Sequence, residues 1–248
     1  MTSPILVTGG TGLLGGHLLP LLEGHDVRVL SRRTADRTYV TGDLLTGEGV
    51  DAAVAGIDTI VHLAGGQKGD DVATRNLVEA ATRAGVRHVV YISVIGADRV
   101  PLGWLRMKLA AERAIAESGL PWTTLRAAQF HDLVYKTVRA MAKLPVVPVP
   151  GGLRFQPVDA GDVAARLVEL ALGEPAGLVP DLAGPTVYPI GDLIRDHLKA
   201  RGKRRPMLPV RMPGKVGRAY RAGANLTLDG ATLGKRTWEE FLSEAATS

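Results

Sequence analysis

From residue 4 to residue 126 the sequence alternates short, unbroken apolar runs with stretches of helical periodicity, and nothing else in it limits the fold as tightly. ILVTG (5–9), DVRVLSR (26–32), DTIVHLAG (58–65), RHVVYISVIG (87–96) and PWTTLRA (121–127) read as strands, with TYV (38–40) a further short candidate. LLGGHLLPLLEG (13–24), DAAVAG (51–56), DVATRNLVEAATRAG (71–85) and LRMKLAAERAIAESG (105–119) read as helices, the first in spite of Pro20. Strands apolar on both sides belong in a parallel sheet covered on each face by helices. Right-handed crossovers then leave an α/β doubly wound parallel sheet, a Rossmann fold, as the expectation.

After residue 127 the rhythm changes. Proline and glycine cluster in LPVVPVPGG (144–152), and DAGDVAARLVELALG (159–173) makes another helix. A helix near 190–201, a strand at MLPVRM (207–212) and a terminal helix at TWEEFLSEA (237–245) follow. We read one domain of 248 residues, with a cofactor-binding core over 1–127 and substrate-side elements forming a small lobe over 128–248. The chain contains no cysteine, which excludes disulfides, thiolate catalysis and thiolate-held zinc. No metal-ligand spacing appears among its six histidines. MTSPILVTGG lacks the basic start and long apolar run of a signal peptide, and no stretch reaches the roughly 18 apolar residues of a membrane span. The expectation is a cytoplasmic chain with no membrane partner.

Between the first strand and the first helix lies TGGTGLLG, containing Gly9, Gly12 and Gly15 at intervals of three. The first glycine allows a tight turn, the second lets backbone approach a pyrophosphate, and the third lets helix and strand pack closely. Free amides and the positive helix end then face the anion. Thr11, Leu13 and Leu14 complete this expected cofactor loop. At the end of the second strand, where NAD-preferring sites keep an acid, the sequence reads Ser31, Arg32, Arg33. A guanidinium pairs bidentately with a 2′-phosphate, so NADP(H) is expected in preference to NAD(H). Asp43, followed by Leu44, is either a contact to the adenine amino group or a turn residue.

These residues, together with VHLAG (61–65), YISVIGAD (91–98), WLRMKLAAE (104–112) and GLPWTTLRAAQFHD (119–132), resemble the short-chain dehydrogenase/reductase superfamily, and within it the atypical, NmrA-like branch of NADP(H)-binding proteins. The resemblance covers nearly the whole chain. It implies cofactor contacts from Leu63, Ala64 and Gly65, a catalytic serine at Ser93, a ribose-binding lysine at Lys108, and Gln129 and Phe130 beside the nicotinamide, with Phe130 equally readable as a lobe-packing residue. Redox-active members keep a tyrosine four residues before the lysine, and here that position holds Trp104. An indole N–H donates a hydrogen bond but does not deliver a proton at neutral pH. Two residues are candidate substitutes: Tyr91, which reads more simply as a core tyrosine, and His131, which follows the sixth strand and reads more simply as a helix-start or surface histidine, imidazole being the side-chain type that can donate a proton near neutral pH. Lys108 and Glu112 also stand four apart on a helix, a spacing that admits a plain ion pair.

Residues 195–221 carry ten Lys/Arg against Asp196 alone, although the whole chain is only +5. With Tyr220 the one aromatic residue among them, a nucleic-acid partner is not expected, and a solvated basic face, an oligomer contact or attraction of anionic substrates remain as readings. The chain is thus expected to be an NADP(H)-dependent oxidoreductase acting on a small quinone-like or conjugated carbonyl substrate. The alternatives are an NADP(H)-sensing regulator without catalysis and a biosynthetic isomerase or cyclase. Monomer and dimer both stay open.

Overall fold

The computed structural model describes residues 3–33, 38–66 and 68–245 and divides into two compact units. In chain order the elements are β1 (Ile5–Thr8), α1 (Leu13–Leu18), β2 (Val27–Ser31), β3 (Tyr39–Thr41), α2 (Val50–Val54), β4 (Thr59–His62), α3 (Asp70–Ala84), β5 (His88–Val94), α4 (Gly103–Ala116) and β6 (Trp122–Ala127). There follow α5 (His131–Met141), β7 (Val147–Pro150), β8 (Arg154–Phe155), α6 (Ala160–Leu172), β9 (Gly177–Leu178), β10 (Leu182–Ala183) and β11 (Tyr188–Pro189). The chain ends with α7 (Ile190–Ala200), β12 (Met207–Val210), α8 (Gly214–Arg221), β13 (Thr232–Leu233) and α9 (Trp238–Ala245).

Unit 1 comprises Met1–Ser93, Gly103–Arg126 and Val163–Val179. Its strands run parallel in the order β9-β6-β5-β4-β1-β2-β3, with Ile5 in register with both Val27 and Thr59. This is the doubly wound Rossmann order, and it reverses between β1 and β4, where such sheets bind ligands. Every residue of β1 and β4 is buried, because helices cover both faces. On one face Leu6, Leu30, Ile60, Val89 and Tyr91 pack with Val54, Leu77 and Ile115 from α2, α3 and α4.

The expected helix 13–24 is shorter. It stops at Leu18 and tightens into a single 3-10 turn over Leu19–Leu22. Pro20 lacks an N–H, and its ring collides with the carbonyl four residues back, so the α-helical ladder cannot pass it.

Unit 2 comprises Val94–Leu102, Ala127–Asp162 and Pro180–Ser248. Val134, Val138, Leu193, Ile194, Leu198, Trp238 and Leu242, from α5, α7 and α9, form its core. β7 and β12 make a two-stranded parallel ribbon, and β8 and β11 an antiparallel pair. The division at 127 therefore differs at two places: Val163–Val179 groups with unit 1, and Val94–Leu102 with unit 2. The second has a visible cause. At Gly96, φ is +86° and an added Cβ would lie 2.6 Å from the carbonyl oxygen of Ala224, so this segment is pressed against the 224–226 turn.

Two helices lie outside the elements legible in the sequence, α5 and α8. In α8, Gly217 is a packing residue: a Cβ there would sit 2.2 Å from the carbonyl oxygen of Met212.

Candidate functional site

The chain turns sharply where β1 ends. Gly9 has φ +71°, and a Cβ on it would fall 2.6 Å from the Ala64 nitrogen, so only glycine lets this turn lie against the backbone that leaves β4. The Gly12 N–H closes the turn on the Gly9 carbonyl at 3.0 Å. At Gly15 a Cβ would come within 2.4 Å of the Gly10 carbonyl oxygen, which fixes the start of α1 tightly on the loop. Thr11, Gly12 and Leu13 are exposed, while Leu14 and Gly15 are buried. Gly12 is the N-cap and has no side chain to bond the first-turn amides, which suits them to an incoming anion. Around the exposed Gly12 a Cβ would meet only the Gly9 carbonyl oxygen, at 3.2 Å, so the backbone there stays open to an approaching pyrophosphate.

At the end of β2 the Ser31 hydroxyl accepts the Arg33 N–H at 3.2 Å, and both Arg32 and Arg33 project exposed from that turn. Asp43 is half-buried, and its Oδ1 accepts the Leu45 N–H at 2.8 Å, which makes it a turn-forming residue whatever else it contacts. Leu44 packs its side chain against the unit 1 core, and Asn76 Nδ2 donates to its carbonyl at 2.7 Å. After β4, Leu63 and Ala64 are half-buried and Gly65 is exposed, with the Ala64 N–H bonded to Thr8 Oγ1 at 3.2 Å.

Beneath this loop lies a chain of buried polar groups. Lys108 Nζ is 3.0 Å from Asp70 Oδ2 and donates to the Tyr91 hydroxyl at 3.2 Å. A Cβ on Gly65 would stand 2.9 Å from that ammonium, so the loop backbone covers it closely. Asp70 Oδ1 in turn accepts the Gly66 N–H at 2.6 Å. Tyr91 is fully buried, and burial first, then the Asp70 and Glu112 charges, push its phenol above the usual range. It is a neutral core group, not a titrating acid.

His62 stacks on Tyr91 with ring centroids 5.3 Å apart. The Thr74 hydroxyl donates to the Asp70 carbonyl at 2.7 Å, so at 3.0 Å it accepts from His62 Nε2–H. Nδ1 then accepts from the Thr8 hydroxyl at 2.7 Å. Burial, followed by the Lys108 charge, pushes the His62 pKa down to about 3.

A second buried constellation holds Ser93. Its hydroxyl donates to the Glu112 carboxylate, which also receives Arg126 Nε at 2.9 Å and Nη2 at 2.7 Å. Glu112 therefore turns to Arg126 and Ser93, and the plain i,i+4 pair with Lys108 gives way to this bidentate fork. Trp104, at the tyrosine position, is half-buried in the first turn of α4.

Gln129, Phe130 and His131 lie in unit 2. Phe130 is half-buried and bridges to Val158. His131 has no exposed surface: it sits between Phe241 and Trp238, with ring centroids 5.2 and 6.0 Å away, and its Nδ1 is 3.9 Å from Asp159. His131 is the first residue of α5, and this candidate imidazole donor is enclosed by Trp238 and Phe241 of α9. Asp70, Glu112 and Arg126 were not legible as site residues. The nearest signals were a charged residue inside an apolar strand (Arg126) and an acid directly after Gly69 at a helix start. Among the described residues no cluster of His, Asp or Glu fits a metal ion.

A family model described as NAD(P)H-binding matches residues 9–172. Quinone oxidoreductase 2 of Escherichia coli is 25% identical over 216 residues, covering 80% of this chain and 75% of that protein. A 3-beta-hydroxysteroid dehydrogenase of Mycolicibacterium neoaurum is 35% identical over 158 residues, 54% of this chain; the chain spans only 40% of that protein's length. Among solved structures, the E. coli NADPH-dependent quinone oxidoreductase QOR2 in complex with NADPH superposes with a TM-score of 0.84 at 20% identity, covering 97% of this chain and 99% of that one.

Proposed function

For a chain that belongs to the NAD(P)H-binding family, we propose an NADP(H)-dependent oxidoreductase of the atypical, NmrA-like short-chain dehydrogenase type that reduces a small quinone-like or conjugated carbonyl compound. The observation that carries this reading is the glycine cradle at the β1–β4 reversal with two exposed arginines at the end of β2.

In this reading Gly9, Thr11, Gly12, Leu13, Leu14 and Gly15 hold the pyrophosphate through backbone amides. Arg32 and Arg33, set by Ser31, grip the 2′-phosphate, and Asp43, Leu44, Leu63, Ala64 and Gly65 line the approach. Reduced dinucleotide, when bound, supplies a hydride. Lys108, drawn from or shared with Asp70, bonds the nicotinamide-side ribose. Ser93, whose proton is committed to Glu112, offers only lone pairs and so orients a donor. Trp104 supplies an N–H to an oxygen but no proton, and His131 is enclosed, so the proton comes from water. A quinone suits such a site, because its reduced oxyanion is stable enough to be protonated afterwards. A simple ketone does not, since general acid catalysis is worth about 10²–10⁴-fold.

Purified protein mixed with NADPH and a panel of quinones and enones is expected to consume NADPH at 340 nm faster than the protein-free control, and faster than with saturated ketones. Equal rates with and without protein across the panel sink the enzyme reading. The double substitution Arg32→Ala/Arg33→Ala is expected to weaken NADP(H) binding about 30- to 100-fold, equivalent to about 2–3 kcal/mol, with NAD(H) affinity changed less than about twofold. A parallel loss of both cofactors in calorimetry removes the 2′-phosphate assignment.

A second reading draws on one observation: Ser93 and Lys108 are both already bonded to acids within the fold. That favours an NADP(H)-sensing regulator, and tight binding that separates NADP+ from NADPH without turnover would select it.

A further inference from the structure

The ribbon of β7 and β12 in unit 2 has two unlike faces. Val147 is in register with Met207, and Val147, Val149 and Met207 pack into the unit 2 core. By strand alternation Pro148 and Pro150 on β7, with Leu208 and Val210 on β12, face the other way. Leu208 is 55% exposed and Val210 36%, and the approach to β7 adds Leu144 at 45% and Val146 at 46%. Every outward position is therefore aliphatic or proline, where a water-facing ribbon should alternate with polar residues.

Cations flank both strands in sequence. Lys143 leads into β7, Lys203, Arg204 and Arg205 lead into β12, and Arg211 follows it, all exposed. Among the described residues none of these five has a carboxylate partner in an ion pair. The sequence holds no Asp or Glu between Asp132 and Asp159 or between Asp196 and Asp229, so the two segments that carry the ribbon bring cations and no acid of their own.

The chemistry of the edge narrows the partner. Val147 and Gly151 direct their N–H groups to the partner strand, at the carbonyls of Pro206 and Val210. The alternate outward positions on β7 are Pro148 and Pro150, which have no N–H, and β12 carries Pro209. Such edges cannot template an added strand from a second copy or a peptide. A nucleic acid would use the cations but has no use for four bared aliphatic side chains and finds no stacking ring between them.

We infer that this face docks on an anionic lipid bilayer, the aliphatic residues entering the interface and the flanking cations meeting lipid phosphates. Among the described residues no helix is long and apolar enough to cross a membrane, so the contact is peripheral. This departs from the sequence expectation of no membrane partner, which was argued from the lack of a spanning segment. The inference does not rest on the cofactor reading, although a lipid-dissolved substrate would be well served by it.

The test is cosedimentation of the full chain with vesicles of phosphatidylcholine alone or mixed with phosphatidylglycerol, at low and high salt. Binding is expected to the mixed vesicles only and to fall with salt. Arg204→Glu/Arg205→Glu/Arg211→Glu should lower partitioning by at least about 100-fold, at roughly 5-fold per neutralised cation. Leu144→Ser/Leu208→Ser should weaken it about 10-fold or more at constant charge. Thermal melts matching the parent establish that the variants fold. Three results overturn the inference: no binding to mixed vesicles at low salt, binding that the leucine pair leaves unchanged, or tight duplex-DNA binding or a dimer in sedimentation with no vesicle binding.

Discussion

Acidification from about pH 6.5 to pH 4 is expected to remove about 3 kcal/mol of folding stability through His62 alone. In the fold this imidazole is neutral, walled in by Tyr91 and Lys108 and donating through Nε2 to Thr74, and its pKa is pushed down to about 3. In the unfolded chain it titrates near 6.5. Between those two values the unfolded state binds the extra proton, so stability falls with falling pH at about 1.4 kcal/mol per unit and levels off below the folded value. Urea melts at several pH values, run in parallel with His62→Gln, isolate this contribution from the carboxylates that also titrate there. The variant starts from lower stability because it disturbs the bond to Thr8, but its acid limb should be flatter by about one proton. Identical slopes in the two proteins would falsify the assignment of a buried neutral imidazole.

Glu112→Ala is expected to cost about 3 kcal/mol. The carboxylate receives both fork nitrogens of Arg126 and the Ser93 hydroxyl, and the Arg126 and Glu112 side chains are only 12% and 11% exposed. Truncating one member of such a pair takes the bidentate carboxylate from a largely desolvated cation, which costs about 3–5 kcal/mol when burial is complete. The residual exposure here argues for the lower end. Replacing both members by leucine, Glu112→Leu/Arg126→Leu, should recover most of the loss, since a well-packed apolar pair is often as stable as the ion pair it replaces. A single variant that costs less than about 1 kcal/mol, or a double variant no better than the single, would show that the fork is solvated rather than structural.

The parallel sheet was legible because continuous Val/Ile/Leu runs have few alternatives once helices separate them, and β1, β4 and β5 lie within the runs read for them. α5 was not. Its buried stripe is Val134 and Val138, β-branched residues of weak helix propensity, and it is packing on α7 and α9 that makes it a helix. α8 carries glycines at 214 and 217, which read as loop until the close approach to Met212 is known. In the candidate site the cradle was readable for the opposite reason, because its spacing encodes a local turn. The partners of Lys108 and Ser93 were not readable. Asp70 is 38 residues from the lysine and Glu112 is 19 from the serine, and no local period relates residues brought together only by adjacent strands and the helices above them.

Unit 2 draws on three separate lengths of chain, Val94–Leu102, Ala127–Asp162 and Pro180–Ser248, with α9 at the far end supplying Trp238. A ribosome must therefore deliver the chain past Trp238 before that core can close, and scissors placed at 127 would yield two fragments each missing a part the other keeps. Excision, fusion or domain-exchange experiments on this scaffold have to respect the interleaving, for example by circular permutation, instead of treating the C-terminal half as a detachable module.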